Sequence, residues 1–298
     1  MNTISEILYR ITQELAPLYS SKENALSSAW WILELITGLS SVQLLAKGSL
    51  ILRAEQERQL NFILEQHIQH HMPLQYIAGS VPFLDLSITV RPPVLIPRPE
   101  TEYWCSLILE CLKKLKNQPL SILDLCTGTG CIALSLAHAL PTAHVYAVDI
   151  SSQACTLAQE NKEKNGIENV TIIQSDLYTS LPPELSFDLI VSNPPYISEE
   201  EWDTLEPLVK EWEDPQALLA EHHGLAILEA LIKEAPQWLK KNTEVSAQKV
   251  PQLVVEIGHT QGPAVKQLFE KAGFKNIIVR KDLQEKDRFV TAVLKENR

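Results

Sequence analysis

From residue 121 onward, short apolar runs alternate with longer amphipathic segments, and this pattern restricts the chain to few folds. The apolar runs are Ser121 to Leu125, Ala143 to Asp149, Val170 to Gln174, Phe187 to Ser192 and Gln252 to Glu256. Helical spacing fills about 131–140, 151–165 and 216–240 between them. Such alternation predicts a parallel sheet with helices on both faces, whose ligands bind beyond the carboxyl ends of the strands. Two further runs, Ile277 to Arg280 and Phe289 to Leu294, flank a charged turn and predict an antiparallel edge pair.

Chemistry concentrates where these runs end. The first continues as Cys126-Thr-Gly-Thr-Gly130 into an apolar helix, in a chain with only 10 glycines. Gly128 and Gly130 let the backbone turn sharply and let a ligand approach where a Cβ would collide. A dinucleotide loop has a third glycine near position 133; here Ala133 stands there, which that fingerprint tolerates, so the loop alone does not choose the nucleotide. Asp149 ends the second run, where a carboxylate can accept both ribose hydroxyls, and Asp176 follows the third, where one could accept from an adenine amino group.

The fourth run leads into Asn193-Pro-Pro-Tyr196. A planar, conjugated nitrogen is a poor nucleophile because its lone pair is delocalised. Two acceptors in the plane of its NH2 hold both hydrogens and leave the lone-pair axis facing an electrophilic methyl. The Asn193 side-chain oxygen and the Pro194 backbone oxygen suit this task, on a chain stiffened by Pro194 and Pro195. Tyr196 offers a face for stacking. Alignment of this kind is worth roughly 7 to 11 kcal/mol of barrier. Hydride transfer to nicotinamide has no use for such a tetrad.

Residues 1 to about 72 read as successive helices with a single proline, Pro17. Thr3-x-x-Glu6 and Ser20-x-x-Glu23 predict two helix starts, Gly38 predicts a stop, and Leu60, Ile63, Leu64 and Ile68 with His67 mark a further apolar face. Pro82 to Pro99 holds five of the 18 prolines and predicts a stiff, extended or hairpin connector.

The formal charge of -11 argues against a general nucleic-acid coat. Five cysteines, odd in number and without a CxxC pair, predict free thiols rather than disulfides or a zinc site. His67, His70 and His71 have helical spacing but no convergent Cys or carboxylate, so they read as a solvated helix end rather than a metal site. His222 and His223 read as surface, and the acids between Glu199 and Asp214 as a solvated rim. No Gly-x-Ser-x-Gly elbow supports a hydrolase. No basic, apolar leader opens the chain and no segment gives 18 uncharged apolar residues, so the expectation is a cytoplasmic protein without a membrane partner.

The sequence resembles the S-adenosylmethionine-dependent methyltransferases, and within them the HemK/PrmC family that methylates the glutamine of class 1 peptide chain release factors. The resemblance covers nearly the whole chain. It rests on Leu95-Ile-Pro-Arg-Pro-Glu-Thr-Glu102, the Asp-Leu-Cys-Thr-Gly-Thr-Gly loop, Asn193-Pro-Pro-Tyr196, Glu256-Ile-Gly-His-Thr-Gln-Gly262 and Asp287-Arg288.

The resemblance implies an α/β, class I, Rossmann-like methyltransferase with a mostly parallel sheet and an antiparallel edge pair, preceded by a small helical domain. It divides the chain into a substrate-contacting helical domain (1–80), a hairpin linker (81–100) and a methyltransferase domain (101–298). The implied cofactor is S-adenosylmethionine, with S-adenosylhomocysteine as product. Thr127, Gly128, Thr129 and Gly130 would line its methionine part, Asp149 would hold the ribose, Asp176 and Leu177 would flank the adenine, and Cys126 and Asn193 would also belong to the cofactor site. Asn193, Pro194, Pro195 and Tyr196 would bind the glutamine of a Gly-Gly-Gln loop in a class 1 release factor.

Three departures stand out: a longer polar segment at Lys241 to Lys249, Glu213-Asp214-Pro215 in place of a Glu-Pro pair, and Cys126 at a tolerant position often held by Gly. Gly258 and Gly262 are expected to form the turn after the fifth strand. The tetrad also suits N6-methylation of adenine in nucleic acid, or methylation of a ribosomal-protein glutamine at its side-chain amide; the acidic balance favours a protein over nucleic acid. A non-catalytic binding protein on the same fold is the reading from another class.

Overall fold

Thr3 begins the first helix with a complete capping box: its hydroxyl accepts from the Glu6 amide at 3.2 Å, and the Glu6 carboxylate accepts from the Thr3 amide at 2.6 Å. The computed structural model describes residues 2–241 and 250–295, so the 241–249 segment lies, from 242 on, outside the described residues. The chain forms two units, Met1–Gly79 with Glu206–Trp212, and Ser80–Leu205 with Glu213–Arg298.

The first unit contains α1 (Ile4–Leu15), α2 (Lys22–Thr37), α3 (Ser41–Lys47), α4 (Ala54–Gln69) and α5 (Leu74–Ala78). Ile4, Ile7, Leu8, Ile11 and Leu15 are buried along α1, as their spacing predicts. The second cap falls one residue beyond the expected Ser20, on Ser21, because its hydroxyl reaches the Asn24 amide at 3.1 Å. Gly38 ends that helix.

The histidine reading needs correction. His67 is buried rather than solvated: its Nδ1 donates to the Met72 carbonyl at 2.7 Å, so Nε2 accepts from the Tyr19 hydroxyl at 2.8 Å. Ser28 donates to Tyr19 in turn, completing a polar chain inside the helical core. In Glu206–Trp212 the acids Glu206 and Glu211 are exposed, as the rim reading expects, while His71 pairs with Glu211 at 3.1 Å and Trp212 donates to the His70 carbonyl at 2.9 Å.

In the second unit, Ser80–Phe83 and Leu86–Thr89 pair as a hairpin. Asn161 both donates to and accepts from the Thr89 backbone, and Asn165 does the same to Ser87, so the hairpin is clamped to α8 (Ser152–Lys164). Between them lie α6 (Pro99–Leu112), absent from the sequence reading, and α7 (Cys131–Ala139). Pro99 at the first turn with Glu100 and Glu102 behind it suits a helix start, since no amide is lost and the acids face the positive end of the dipole.

The central sheet comprises β1 (Ser121–Leu125), β2 (His144–Asp149), β3 (Val170–Gln174), β4 (Leu189–Ser192), β5 (Leu253–Glu256), β6 (Phe274–Lys281) and β7 (Asp287–Leu294). Its order is β6-β7-β5-β4-β1-β2-β3. The first five strands are parallel, and β7 runs antiparallel to both β5 and β6. Every residue of β4 and β5 is buried, which explains their unbroken apolar runs.

The single helix expected over 216–240 is broken. One turn at Pro215–Ala217 and a short segment Glu221–Gly224 precede α9 (Ala226–Trp238); α10 (Gly262–Lys271) follows β5. His222, His223 and Gly224 all have positive φ, which no continuous helix accommodates.

Candidate active site

The strand order reverses at β1, whose neighbours are β4 on one side and β2 on the other, so the ends of these strands open a crevice at the switch point. Ser192 ties two of them by donating to the Leu125 carbonyl at 2.7 Å. The glycine loop leaves β1 there, and the tetrad leaves β4.

Cys126, Gly128, Asp149, Asn193 and Pro195 line one cavity at this crevice, together with Val94 and Leu95 from the segment after the hairpin. Asp149 accepts from the Gly128 amide at 2.8 Å on one oxygen and from Ser151 at 2.9 Å on the other. Burial raises its pKa, and the Ser151, Gly128 and Ile150 amides oppose the rise; the carboxylate lines the cavity and keeps acceptor capacity for hydroxyls there. No atom lies within 4 Å of a Cβ built on Gly128, whose φ is +53°. The backbone is therefore bare where the cavity approaches it.

Gly130 has a different reason. Its Cβ would stand 3.1 Å from the Ala158 Cβ, so the absence of a side chain here serves packing of the loop on α8. Thr127 and Thr129 are buried beneath the loop, with Thr127 donating to Asp124 at 2.6 Å. Cys126 has a φ of +59°, so its place is not conformationally tolerant; the frequent Gly of the family fits that backbone better. Burial and then the Asp149 charge push its thiol up, away from the reactive thiolate. Asp176 is exposed at the end of β3, beside Leu177 at a φ of +44°.

Sequence reasoning passed over Asp124. It is fully buried in β1, accepts from Thr127 and from the Ala133 amide at 3.1 Å, and burial pushes its pKa up to about 7. It secures both ends of the glycine loop. The signal was available, since a carboxylate inside an apolar strand needs partners nearby.

At the tetrad, Asn193 Nδ2 donates to Thr101 Oγ1 at 3.1 Å, and Thr101 donates to Glu256 Oε2 at 2.6 Å. Trp104 Nε1 donates to the same oxygen at 2.7 Å, while the Tyr196 hydroxyl donates to Oε1 at 3.2 Å. Glu256, at the carboxyl end of β5, is wholly buried; burial raises its pKa, and the Thr101 and Trp104 bonds together with the nearby Arg288 charge favour its ionised form. Gln261 supports the tetrad from behind, donating to the Tyr196 carbonyl at 2.9 Å and accepting from the Gly258 amide at 2.8 Å. Pro194 and Tyr196 are not among the residues lining the cavity.

Glu213 departs from the solvated-rim reading. It is buried, pairs with Arg98 and accepts from the Ile96 amide, while the next amide, Asp214, donates to the Pro93 carbonyl at 2.8 Å. These bonds fix the segment from Pro93 to Arg98 along the cavity.

Residues 6–79 match the PrmC N-terminal domain family and residues 102–213 the Methyltransferase small domain family. A protein of Enterococcus faecalis named release factor glutamine methyltransferase is 39% identical over 80% of this chain and 81% of its own length. One of the same name from Flavobacterium psychrophilum is 35% identical over 94% of this chain and 95% of its own. The chain belongs to the release factor glutamine methyltransferase family. Among solved structures, the catalytic domain of hMettl16 in complex with MAT2A 3'UTR hairpin 6 superposes with a TM-score of 0.54 at 13% identity, covering 84% of this chain and 85% of that one. That likeness concerns the fold. Within the release factor glutamine methyltransferase family, Thr101, Glu256 and Arg288 fall in the stretches that carried the sequence resemblance, though their roles were not legible there.

Proposed function

We propose that this chain transfers a methyl group to the side-chain amide nitrogen (N5) of the glutamine in the Gly-Gly-Gln motif of class 1 peptide chain release factors. One observation carries the reading: Asn193, the amide-binding candidate, lines the same cavity as Gly128 and Asp149, the cofactor-binding candidates. The bare backbone at Gly128 and the acceptor capacity of Asp149 fit S-adenosylmethionine. When bound, that cofactor supplies a methyl on a sulfonium sulfur and is left as S-adenosylhomocysteine.

The chain's own residues then do the following. Asp149 holds the ribose hydroxyls, and Gly128 admits the methionine part. Asn193 Oδ1 and the Pro194 carbonyl take the two hydrogens of the glutamine NH2, which directs the nitrogen lone pair toward the methyl. Tyr196, its ring held by Glu256, lies against the amide plane. The nitrogen loses a proton only as its bond to carbon forms, so the acceptors need no strong basicity. Asp176 and Leu177 flank the adenine. The helical residues 1–80 contact the release factor, which places the reaction in the cytoplasm. Among the described residues no single helix is long and apolar enough to cross a membrane.

The test is competition. The protein is incubated with S-adenosylmethionine, a class 1 release factor and an adenine-containing DNA duplex, and the methyl is located by mass spectrometry. Methylated Gly-Gly-Gln peptide with unmodified DNA is expected; methyl on adenine with an unmodified peptide overturns the reading.

A further inference from the structure

We infer that Thr101 and Glu256 are positioning residues that set the orientation of the Asn193 amide, turning its oxygen rather than its nitrogen toward the substrate. The inference rests on the proposed function, because that function requires an acceptor at this point.

A primary amide has two orientations of nearly equal shape, and only one presents oxygen. The choice at Asn193 follows from counting protons. Glu256 as a carboxylate has no proton to give and is approached by three donors, Thr101, Trp104 and Tyr196. Trp104 Nε1 can only donate, so the oxygen it shares with Thr101 must act as an acceptor. Thr101 has one hydroxyl proton, and it is committed to Glu256 at 2.6 Å. Toward Asn193 the Thr101 oxygen can therefore only accept, and the group it receives, at 3.1 Å, is the NH2. The Asn193 oxygen is left on the other branch of the amide, available to a substrate NH2. If the amide turned over, two oxygens without a proton between them would face each other at this distance in a buried site, a repulsive arrangement.

The chain of donors thus runs in one direction, Asn193 to Thr101 to Glu256. Its members come from three separated places in the sequence, the first turn of α6, the end of β4 and the end of β5. Neither Thr101 nor Glu256 lines the cavity, so each acts through Asn193 or Tyr196 rather than on the reacting atoms.

The test compares Thr101→Val, Thr101→Ala and Thr101→Ser with wild type in full-length protein, using a class 1 release factor as substrate. Val keeps the volume and Ala removes it, but both delete the hydroxyl; Ser restores it. The expected result is a fall in kcat of about 100-fold for Val and Ala, in line with the cost of a misplaced reacting group. The affinity for S-adenosylmethionine, titrated on the same samples, stays within about threefold, since Thr101 does not line the cofactor cavity and uniform binding is untouched. Ser recovers most of the lost kcat. Wild-type kcat in Val and Ala overturns the inference, as does a loss in Ser equal to that in Val. A wild-type protein that methylates no release factor overturns the functional reading beneath it, a result distinct from either.

Discussion

Gly224 packs against the backbone of Tyr196 so closely that a Cβ on Gly224 would overlap the Tyr196 carbonyl oxygen, far inside van der Waals contact. That oxygen is already engaged by Gln261, so it has no freedom to withdraw. The break in the helical pattern after Pro215 thus holds the Asn193–Tyr196 tetrad down, and the positive φ of Gly224, +79°, is what allows the approach.

Gly224→Ala is expected to lower turnover sharply and to destabilise the fold by about 1 to 3 kcal/mol, the usual cost of forcing a group into a filled site. Urea denaturation and methyl transfer measured on the same preparation check this. An alanine variant with wild-type kcat would show that the tetrad is not held at this point.

Gly128 and Gly130 separate two reasons for a glycine. Gly128→Ala costs about 1 to 2 kcal/mol for the left-handed backbone alone, while its larger effect falls on cofactor affinity, because the new methyl enters the cavity. Gly130→Ala pushes on Ala158 and is expected to lower stability more than Gly128→Ala. Isothermal titration with S-adenosylmethionine beside urea unfolding distinguishes them; the same loss of affinity per unit of stability in both would contradict the assignment.

Arg98→Ala leaves Glu213, whose side chain is fully buried, without its ion-pair partner. Removing one member of a buried pair costs about 3 to 5 kcal/mol; here the partly exposed Arg98 places the expected loss near the low end. Glu213→Gln on the Arg98→Ala background recovers part of it, because a neutral amide is cheaper to bury unpaired. A double-mutant cycle by chemical denaturation measures the coupling.

His67 gives the helical unit a pH dependence. Burial lowers its folded-state pKa below the ordinary value of 6.5, opposed by its bond to Met72. Below 6.5 the unfolded chain then binds a proton that the folded chain refuses, so stability is full above this value and falls as the pH drops through it. Unfolding of wild type and His67→Gln between about pH 7.5 and about pH 5.5 is expected to show a smaller decline in the variant.

Much of this architecture was legible because period and position carry it. β1 and β3 have the boundaries that their apolar runs predict, and β2, β4 and β5 start one to two residues later. Gly128, Asp149 and Asn193 meet at one cavity because strand ends in a parallel sheet share one edge. What escaped is what tertiary contact decides. The positive φ of Cys126 and the packing of Gly130 on Ala158 leave no periodic trace. Glu256 reads as any acid at a strand end until Thr101, Trp104 and Tyr196 are seen to converge on it. His67 shares a face with apolar residues, and that face was the better guide to its burial than its histidine neighbours.

The most direct measurement is fragment mass spectrometry of the Gly-Gly-Gln peptide after single turnover by wild type and by Asn193→Ala, each first shown to bind S-adenosylmethionine. Methyl on the glutamine side-chain nitrogen with wild type, and its loss with Asn193→Ala at nearly unchanged cofactor affinity, is the predicted result. Methylation by Asn193→Ala at the wild-type rate, or methyl on any other residue of the peptide, would contradict the account.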